Sequence, residues 1–276
     1  TKHEMDFIAN AASIFGKEKS LMGNATIQEH VQAHTHAIHA CNQRGGRMLS
    51  LVDLLEDDSV NLEMAGYLAA AMRAGASLLV GAQPGGAGKT TVMCALLNFL
   101  PDATDIRSVD TPDVMVTDAR ASEPGEVCFI AHEISPATYY RAYLWGSDAH
   151  TFFRLTESGH LIASNLHADT LGQTREQLCG ENGVAPEHLA QVNLKLYLRM
   201  RRSRGWQRAH WVHRVYESDG AADRLLWESD GPGAFERRGE SDLVTSAEAT
   251  RYQELITSLR DRGVRTIEEM RRAVIT

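Results

Sequence analysis

The stretch LLVGAQPGGAGKTTVM (78–93) constrains the fold more than any other part of the sequence. An apolar run leads into a Gly-rich turn, and a helix-forming segment follows from 89 to 100, where Pro101 ends it. Glycines let backbone N–H groups curl around phosphate oxygens, and the N-terminus of a helix adds a partial positive charge. The stretch therefore predicts a strand, a phosphate-binding loop and a helix.

The side chains of this loop predict a nucleotide site. Lys89 would reach the β- and γ-phosphates, the hydroxyl of Thr90 would ligate Mg²⁺, and Thr91 would bond the α-phosphate. The pattern G-x-x-x-x-G-K-[ST] calls for glycine where this chain has Gln83. The alternative is a Gly-rich strand–helix turn with a chance Lys-Thr pair. The predicted nucleotide-binding set is Gly85, Gly86, Ala87, Gly88, Lys89, Thr90 and Thr91.

Composition excludes several other classes of protein. The 276 residues include 36 acidic and 28 basic side chains, for a formal charge of −8, so we expect no nucleic-acid partner. No apolar stretch approaches the roughly 20 residues of a membrane-spanning helix, and the first residues show no signal-peptide pattern. The four cysteines form no C-x-x-C pair. We therefore expect a cytoplasmic protein with reduced cysteines.

The order of patterns along the chain predicts an α/β fold. Apolar runs at 76–82, 105–109, 126–133 and 161–168 are typical of buried parallel strands, and helical spacing at 61–75, 89–100, 171–179 and 186–193 alternates with them. After Leu194 the pattern changes to that of an antiparallel meander, and the last 33 residues are helical. Thr266 and Glu269 have the spacing of a capping box. The predicted divisions are 1–48, a short polar segment; 49–240, the nucleotide-binding domain; and 241–276, a helical tail.

A second motif names a family. TESGHLIASNLHADTLGQTREQL (156–178) resembles the conserved box of the secretion-superfamily motor ATPases, in which a Gly-His pair precedes a strand that ends in Leu-His-Ala-Asp. FIAHE (129–133) is similar to the Walker B strand of that family, and the tail after 250 is similar to the closing helices of its archaellum-motor and tight-adherence branch. The resemblance covers 49–276.

The resemblance implies a RecA-like P-loop ATPase domain that uses ATP and Mg²⁺ and works as a homo-oligomeric ring, usually a hexamer. Such rings power secretion, pilus or archaellum machines at the cytoplasmic face of a membrane, where they meet a membrane platform protein. By the same resemblance, Glu133 polarises the attacking water, His167 contacts the γ-phosphate region, and Asp110 belongs to an acidic box. Lys89, Thr90 and Thr91 match the Walker A residues, with Mg²⁺ on Thr90.

The chain departs from the family at several positions. Besides Gln83, Val109 stands where a glutamate precedes the Asp-Thr pair, and His132 stands where glycine precedes the Walker B glutamate. The segment between Glu133 and the Gly-His pair is longer than usual, and the segment before residue 49 is too short for the usual N-terminal domain. Two functions therefore stay open: a motor ATPase, and a nucleotide-binding paralogue with weak or no hydrolysis that regulates or acts as a scaffold.

Three other clusters have competing interpretations. The His-rich stretch 30–41 is either a metal site or a solvated helix face. The Arg-rich stretch 199–208 either binds nucleic acid or faces the acidic residues of a neighbouring subunit. Asp110 and Asp113 either orient the metal or are turn residues around Pro112.

Overall fold

Nine strands form one sheet in the part of the chain that the computed structural model describes, which comprises residues 24–42, 45–109, 111–136, 143–202 and 208–276. The strands are β1 Leu78–Gly81, β2 Asp105–Ser108, β3 Val127–Ile134, β4 Tyr143–Leu144, β5 Leu161–Leu166, β6 Leu194–Arg202, β7 Arg208–Ser218, β8 Asp223–Ser229 and β9 Phe235–Arg237. The helices are α1 Asn24–Ala40, α2 Leu51–Glu56, α3 Leu62–Arg73, α4 Lys89–Leu97, α5 Pro112–Arg120, α6 Ser147–Arg154, α7 Leu171–Arg175, α8 Pro186–Ala190, α9 Ser246–Asp261 and α10 Ile267–Ile275.

The sheet has a parallel half and an antiparallel half. Its strand order is β2-β3-β5-β1-β6-β7-β8-β9, with the short β4 beside β3. Strands β2, β3, β5, β1 and β6 run parallel, whereas β6 to β9 form an antiparallel meander. This arrangement confirms the predicted α/β fold class: a mostly parallel sheet flanked by helices, with an antiparallel meander and C-terminal helices. The carboxyl ends of β1, β3 and β5 lie side by side, which is where open α/β sheets place their ligands.

Helices cover both faces of the parallel strands. Alternate residues of a strand point to opposite faces, so Leu78 and Val80 lie in one core cluster whereas Leu79 lies in the other. The first cluster joins the sheet to α1, α2, α3, α4, α9 and α10, and the second joins it to α5, α6 and α8. The parallel strands are thus buried on both sides, which explains their continuous apolar runs.

The C-terminal helices begin as the sequence predicts. Thr266 accepts a hydrogen bond from the backbone N–H of Glu269, whose carboxylate in turn bonds the backbone of Thr266. This reciprocal pair confirms the predicted capping box at the start of α10. A second capping box joins Thr245 and Glu248 at the start of α9. Both satisfy backbone N–H groups that a helix start would otherwise leave unpaired.

The N-terminal and acidic-box regions differ from the sequence predictions. Helix α1 places Val31, His34 and Ile38 in the interior, so one face of the His-rich stretch is buried and the interpretation of the stretch as a solvated face is wrong there. A helix, α5, begins at Pro112, and Asp113 lies in its first turn. Proline suits this position because its missing N–H would have no helical partner. Within the described ranges, every helix is too short or too polar to cross a lipid bilayer.

Candidate nucleotide-binding site

The loop between β1 and α4 has the backbone of a phosphate cradle. Gly86 and Gly88 have φ angles of 82° and 94°, in the left-handed region that glycine adopts without strain. Gly88 is the N-cap of α4 and has no side chain to accept from the first N–H groups of the helix. A Cβ atom at Gly85 or Gly88 would meet no atom within 4 Å, so the loop borders open space. The first turn of α4 is therefore available to an anion.

Lys89 is held at the base of this cradle by two oxygen atoms. Its Nζ atom lies 3.0 Å from the carbonyl oxygen of Ala82 and 2.7 Å from Oε1 of Glu133. The Lys89 and Glu133 side chains are each about 10% exposed, so water screens the ion pair weakly. Glu133 is the penultimate residue of β3, the strand in which the sequence predicts it. The structure thus joins two predicted site residues directly.

His167 completes a triad with Lys89 and Glu133. It follows β5, and its Nε2 atom lies 3.0 Å from the same Oε1 atom of Glu133. Its Nδ1 atom lies 3.1 Å from the carbonyl oxygen of Gln83. A carboxylate and a carbonyl can only accept hydrogen bonds, so these two neighbours favour hydrogen on both ring nitrogens, which is the imidazolium form.

The electrostatics of the triad agree with this protonation. The hydrogen bond to Glu133 raises the pKa of His167 and outweighs burial, which lowers it. Burial raises the pKa of Glu133, but the hydrogen bonds from His167 and Lys89 outweigh it and bring the pKa down to about 2. The Glu133 carboxylate is therefore ionised at neutral pH, beside the Lys89 ammonium and the His167 ring.

Gln83 stands where the loop motif calls for glycine, and its main chain makes the contacts that hold it there. Its backbone N–H donates to Oδ1 of Asp169 at 2.8 Å, while its carbonyl accepts from His167. The Gln83 side chain is exposed. His167 and Asp169, which flank Ala168 in the connection after β5, thus both bond the main chain of Gln83 at the start of the loop. This explains how the loop accommodates Gln83, and it adds Asp169, which the sequence analysis did not assign to the site.

The Thr90 hydroxyl has a partner that the sequence analysis also missed. Nδ2 of Asn165, on β5, lies 3.3 Å from Oγ1 of Thr90 and 2.8 Å from the carbonyl oxygen of His132. Thr90 and Thr91 are both half-buried in the first turn of α4. A polar residue inside the apolar run of β5 is the signal that could have identified Asn165.

The acidic-box prediction is not tested by the structure. Asp110 lies outside the described residues. The preceding Val109 is buried in the core cluster that includes residues of α5 and α6. Asp113 is exposed on α5, and the ring of His132 stacks on that of Tyr143 with centroids 5.5 Å apart.

The residues present fit Mg²⁺ bound together with a nucleotide. Mg²⁺ in phosphate-transfer sites takes one or two protein oxygens and completes its shell with phosphate and water. The Thr90 hydroxyl is such an oxygen, and the nearby Glu133 is an ionised carboxylate. Elsewhere, no group of three or more His, Cys, Asp or Glu side chains among the described residues could hold a metal ion. In the His-rich stretch, His34 instead bonds the carbonyl oxygen of Leu97 at 3.0 Å.

Comparisons with known proteins give distant structural likenesses. No protein-family model matches the sequence, and no curated protein matches it. The structure is similar to the VirB11 ATPase from the Brucella suis type IV secretion system in complex with sulphate, with 17% identity, a TM-score of 0.38, and coverage of 73% of this chain and 57% of that one. It is also similar to the Legionella pneumophila ATPase DotB, with 8% identity, a TM-score of 0.39, and coverage of 77% and 59%. The chain thus spans less than two thirds of either protein. These likenesses are too distant to assign an activity, which must come from the site.

Proposed function

We propose that this chain binds ATP with Mg²⁺ at the 83–91 loop and hydrolyses it as one subunit of a ring-shaped motor of the secretion, pilus or archaellum type. The observation that carries the proposal is the triad of Lys89, Glu133 and His167 directly beneath a phosphate cradle. Phosphoryl transfer requires positioned positive charge and an oriented water more than covalent chemistry. The loop and the triad offer both.

Each residue of the triad has a distinct part in the proposed reaction. The Lys89 ammonium leaves Glu133 for the β- and γ-phosphate oxygens, on which bound Mg²⁺ would supply further positive charge. The released Glu133 carboxylate accepts a hydrogen bond from the attacking water and orients it. When protonated, His167 would add positive charge beside Glu133, at the γ-phosphate end of the site. Gln83 keeps His167 in place through its carbonyl.

A nucleotide-binding protein with weak hydrolysis is the second candidate. Val109 stands where the family has a glutamate, so this position supplies no carboxylate. Its side chain is 1% exposed and lies in an apolar core cluster. Loss of that carboxylate affects turnover more than binding, because Lys89 and the loop backbone make the expected phosphate contacts. This candidate would regulate a motor or act as its scaffold.

Steady-state ATP hydrolysis with Mg²⁺ separates the two candidates. We expect turnover in the wild type that Glu133→Gln abolishes, while ATP binding persists in both proteins. Equal rates in wild type and variant, despite measurable ATP binding, would reject the motor and favour the regulatory protein. Glu157→Gln is a matched control, because Glu157 is an exposed carboxylate that pairs with His188 on another part of the surface.

The proposed ring predicts that size depends on nucleotide. In light scattering, ATP with Mg²⁺ should shift the purified chain from small species toward a hexamer. Arg107, half-exposed and 3.4 Å from Asp118 in this chain, is available for a contact between subunits. A single size in all conditions would contradict the ring for this chain alone. The proposed location is cytoplasmic, at the inner face of a membrane beside a platform protein, with no nucleic acid as partner.

A further inference from the structure

Asn165 is a buried amide at the point where the three strands of the site meet. It lies on β5, between β1 and β3, opposite Val80 of β1, and it is 1% exposed. The register between β3 and β5 shifts beside it, between Ala131 and Ile134. A polar side chain in such a position is costly unless it makes hydrogen bonds. Its contacts therefore show what it does there.

The two hydrogens of the Asn165 amide join two parts of the nucleotide site. One is donated to the carbonyl oxygen of His132, the residue before Glu133, at 2.8 Å. The other is directed to Oγ1 of Thr90 at 3.3 Å. The carbonyl contact fixes the orientation of the amide, because a flipped amide would place two oxygens against each other. Asn165 thus links the proposed Mg²⁺ hydroxyl to the strand end that carries the proposed catalytic carboxylate.

The remaining atom of the amide is unsatisfied. Oδ1 of Asn165 is buried and has no hydrogen-bond partner among the described residues. A buried acceptor without a donor is destabilising, so an unpaired one at this position calls for a partner. Oδ1 belongs to the same carboxamide as the nitrogen that contacts Thr90. A water molecule held by Mg²⁺ beside Thr90 would supply the missing donor.

We propose that Asn165 is a positioning residue for Mg²⁺: it holds the Thr90 hydroxyl in the orientation that ligates the ion, and its Oδ1 atom accepts a hydrogen bond from a water of the Mg²⁺ shell. The inference rests on the proposed nucleotide site and assigns to it a residue that the loop motif does not contain. Donation from Asn165 occupies one lone pair of Oγ1 and leaves the other available to ligate the ion. Residues that orient metal ligands in this way commonly contribute about 10- to 100-fold to metal affinity.

The test is the effect of Mg²⁺ on the affinity for a fluorescent ATP analogue, measured in excess EDTA and at saturating Mg²⁺. We compare wild type, Asn165→Leu, Thr90→Val and the double variant. In EDTA, we expect each single variant to bind the ATP analogue with an affinity within about twofold of wild type. The factor by which Mg²⁺ raises that affinity should fall by at least about tenfold in each single variant. The double variant should lose little more than either one, because both substitutions remove the same interaction.

Ser164→Ala is the matched control, since Ser164 is buried on the same strand and its hydroxyl donates only to the backbone carbonyl of Asn165 among the described residues, without contact to the Asn165 amide. It should leave the Mg²⁺ effect unchanged. If Asn165→Leu unfolds, Asn165→Ser, which keeps one donor, is measured in the same way after its melting temperature is checked.

The outcomes separate the inference from the function on which it rests. An unchanged Mg²⁺ effect in the Asn165 variant, with the effect lost in Thr90→Val, overturns the inference and leaves the nucleotide site intact. Equal losses of affinity in EDTA and in Mg²⁺ overturn it as well, because they show a purely structural role. No binding by the wild type in either condition rejects the proposed function itself, and the inference with it.

Discussion

The ammonium of Lys89 lies 2.7 Å from the carboxylate of Glu133, in an ion pair whose two side chains are each about 10% exposed. The residue that would bind phosphate is thus already paired with the residue that would orient water. Phosphate must compete with a carboxylate for the same cation. In the proposed function, nucleotide binding and release of Glu133 would therefore be coupled through one contact.

Removing the Glu133 carboxylate, which competes with phosphate for Lys89, should strengthen nucleotide binding. We expect Glu133→Gln to bind ATP roughly fivefold more tightly than wild type, equivalent to about 1 kcal/mol, because Lys89 no longer leaves a charged partner. Isothermal titration calorimetry with and without Mg²⁺ measures this difference. Weaker binding by Glu133→Gln than by wild type would show that the carboxylate contributes to the bound state.

The protonated state of His167 should make stability depend on pH. Its folded pKa lies above the ordinary value of 6.5, so its stabilising contribution is complete below pH 6.5 and is lost as pH rises through the raised folded value. The free energy of unfolding of wild type minus that of His167→Asn should therefore decrease between pH 6 and pH 9. Urea denaturation across this range measures it.

The same pH dependence has an internal control. In a Glu133→Gln background, the change in the free energy of unfolding caused by His167→Asn should become nearly independent of pH, because the hydrogen bond that raises the pKa of His167 is gone. A pH dependence that persists in this background would assign the pKa shift to another neighbour.

The folded pKa of Glu133 is lowered to about 2, so its own contribution to stability is present above pH 4.5 and is lost only as pH falls toward 2.

Arg271 should stabilise the far end of the helix that begins at the phosphate loop. Its guanidinium is buried, donates to the carbonyl oxygens of Asn98, Leu100 and Pro101, and has its pKa lowered to about 9 by burial. We expect Arg271→Met to lower the free energy of unfolding by about 2–4 kcal/mol, because the Asn98, Leu100 and Pro101 carbonyls all lose a hydrogen bond from the buried guanidinium. The Leu100 and Pro101 carbonyls keep a second donor, from Arg73 and from the backbone of Thr104. Arg272→Met is the control: this exposed arginine contacts Gln28 and should change stability by less than about 0.5 kcal/mol. Similar effects of the two substitutions in urea denaturation would contradict the assigned role.

A buried ion pair in the meander should be costly to break. Lys195 is 1% exposed and its Nζ atom lies 2.7 Å from Asp223, which also contacts the exposed Arg175. Asp223→Ala leaves a buried ammonium without its anion, so we expect a loss of about 3–5 kcal/mol. Arg175→Ala removes only the exposed partner and should cost less than about 1 kcal/mol. Chemical denaturation of both variants tests the contrast, and a small effect of Asp223→Ala would show that Lys195 finds another partner or loses its proton.

The sequence predicts well the elements whose signal is local. The runs at 76–82, 126–133 and 161–168 correspond to β1, β3 and β5, because strands buried on both faces need unbroken apolar residues. Helix α5 escapes prediction, since Met115 is its one buried residue and no apolar period marks it. The burial of one face of the His-rich α1 escapes for a related reason: His34 lies in the interior, and a polar residue there hides the apolar face.

By itself, the sequence predicted the loop, the start of α4 and Lys89 as a phosphate-binding residue, because a strand, a glycine turn and a helix follow from neighbouring residues. It predicted Glu133 and His167 only through the family resemblance. Only the tertiary structure decided that Lys89 and His167 both contact Oε1 of Glu133. It also decided that Gln83 is held by its backbone and that Asn165 reaches Thr90. These contacts join segments that are far apart in the chain. They exist because β5 lies between β1 and β3, and strand order depends on packing of the whole sheet, which no local period encodes.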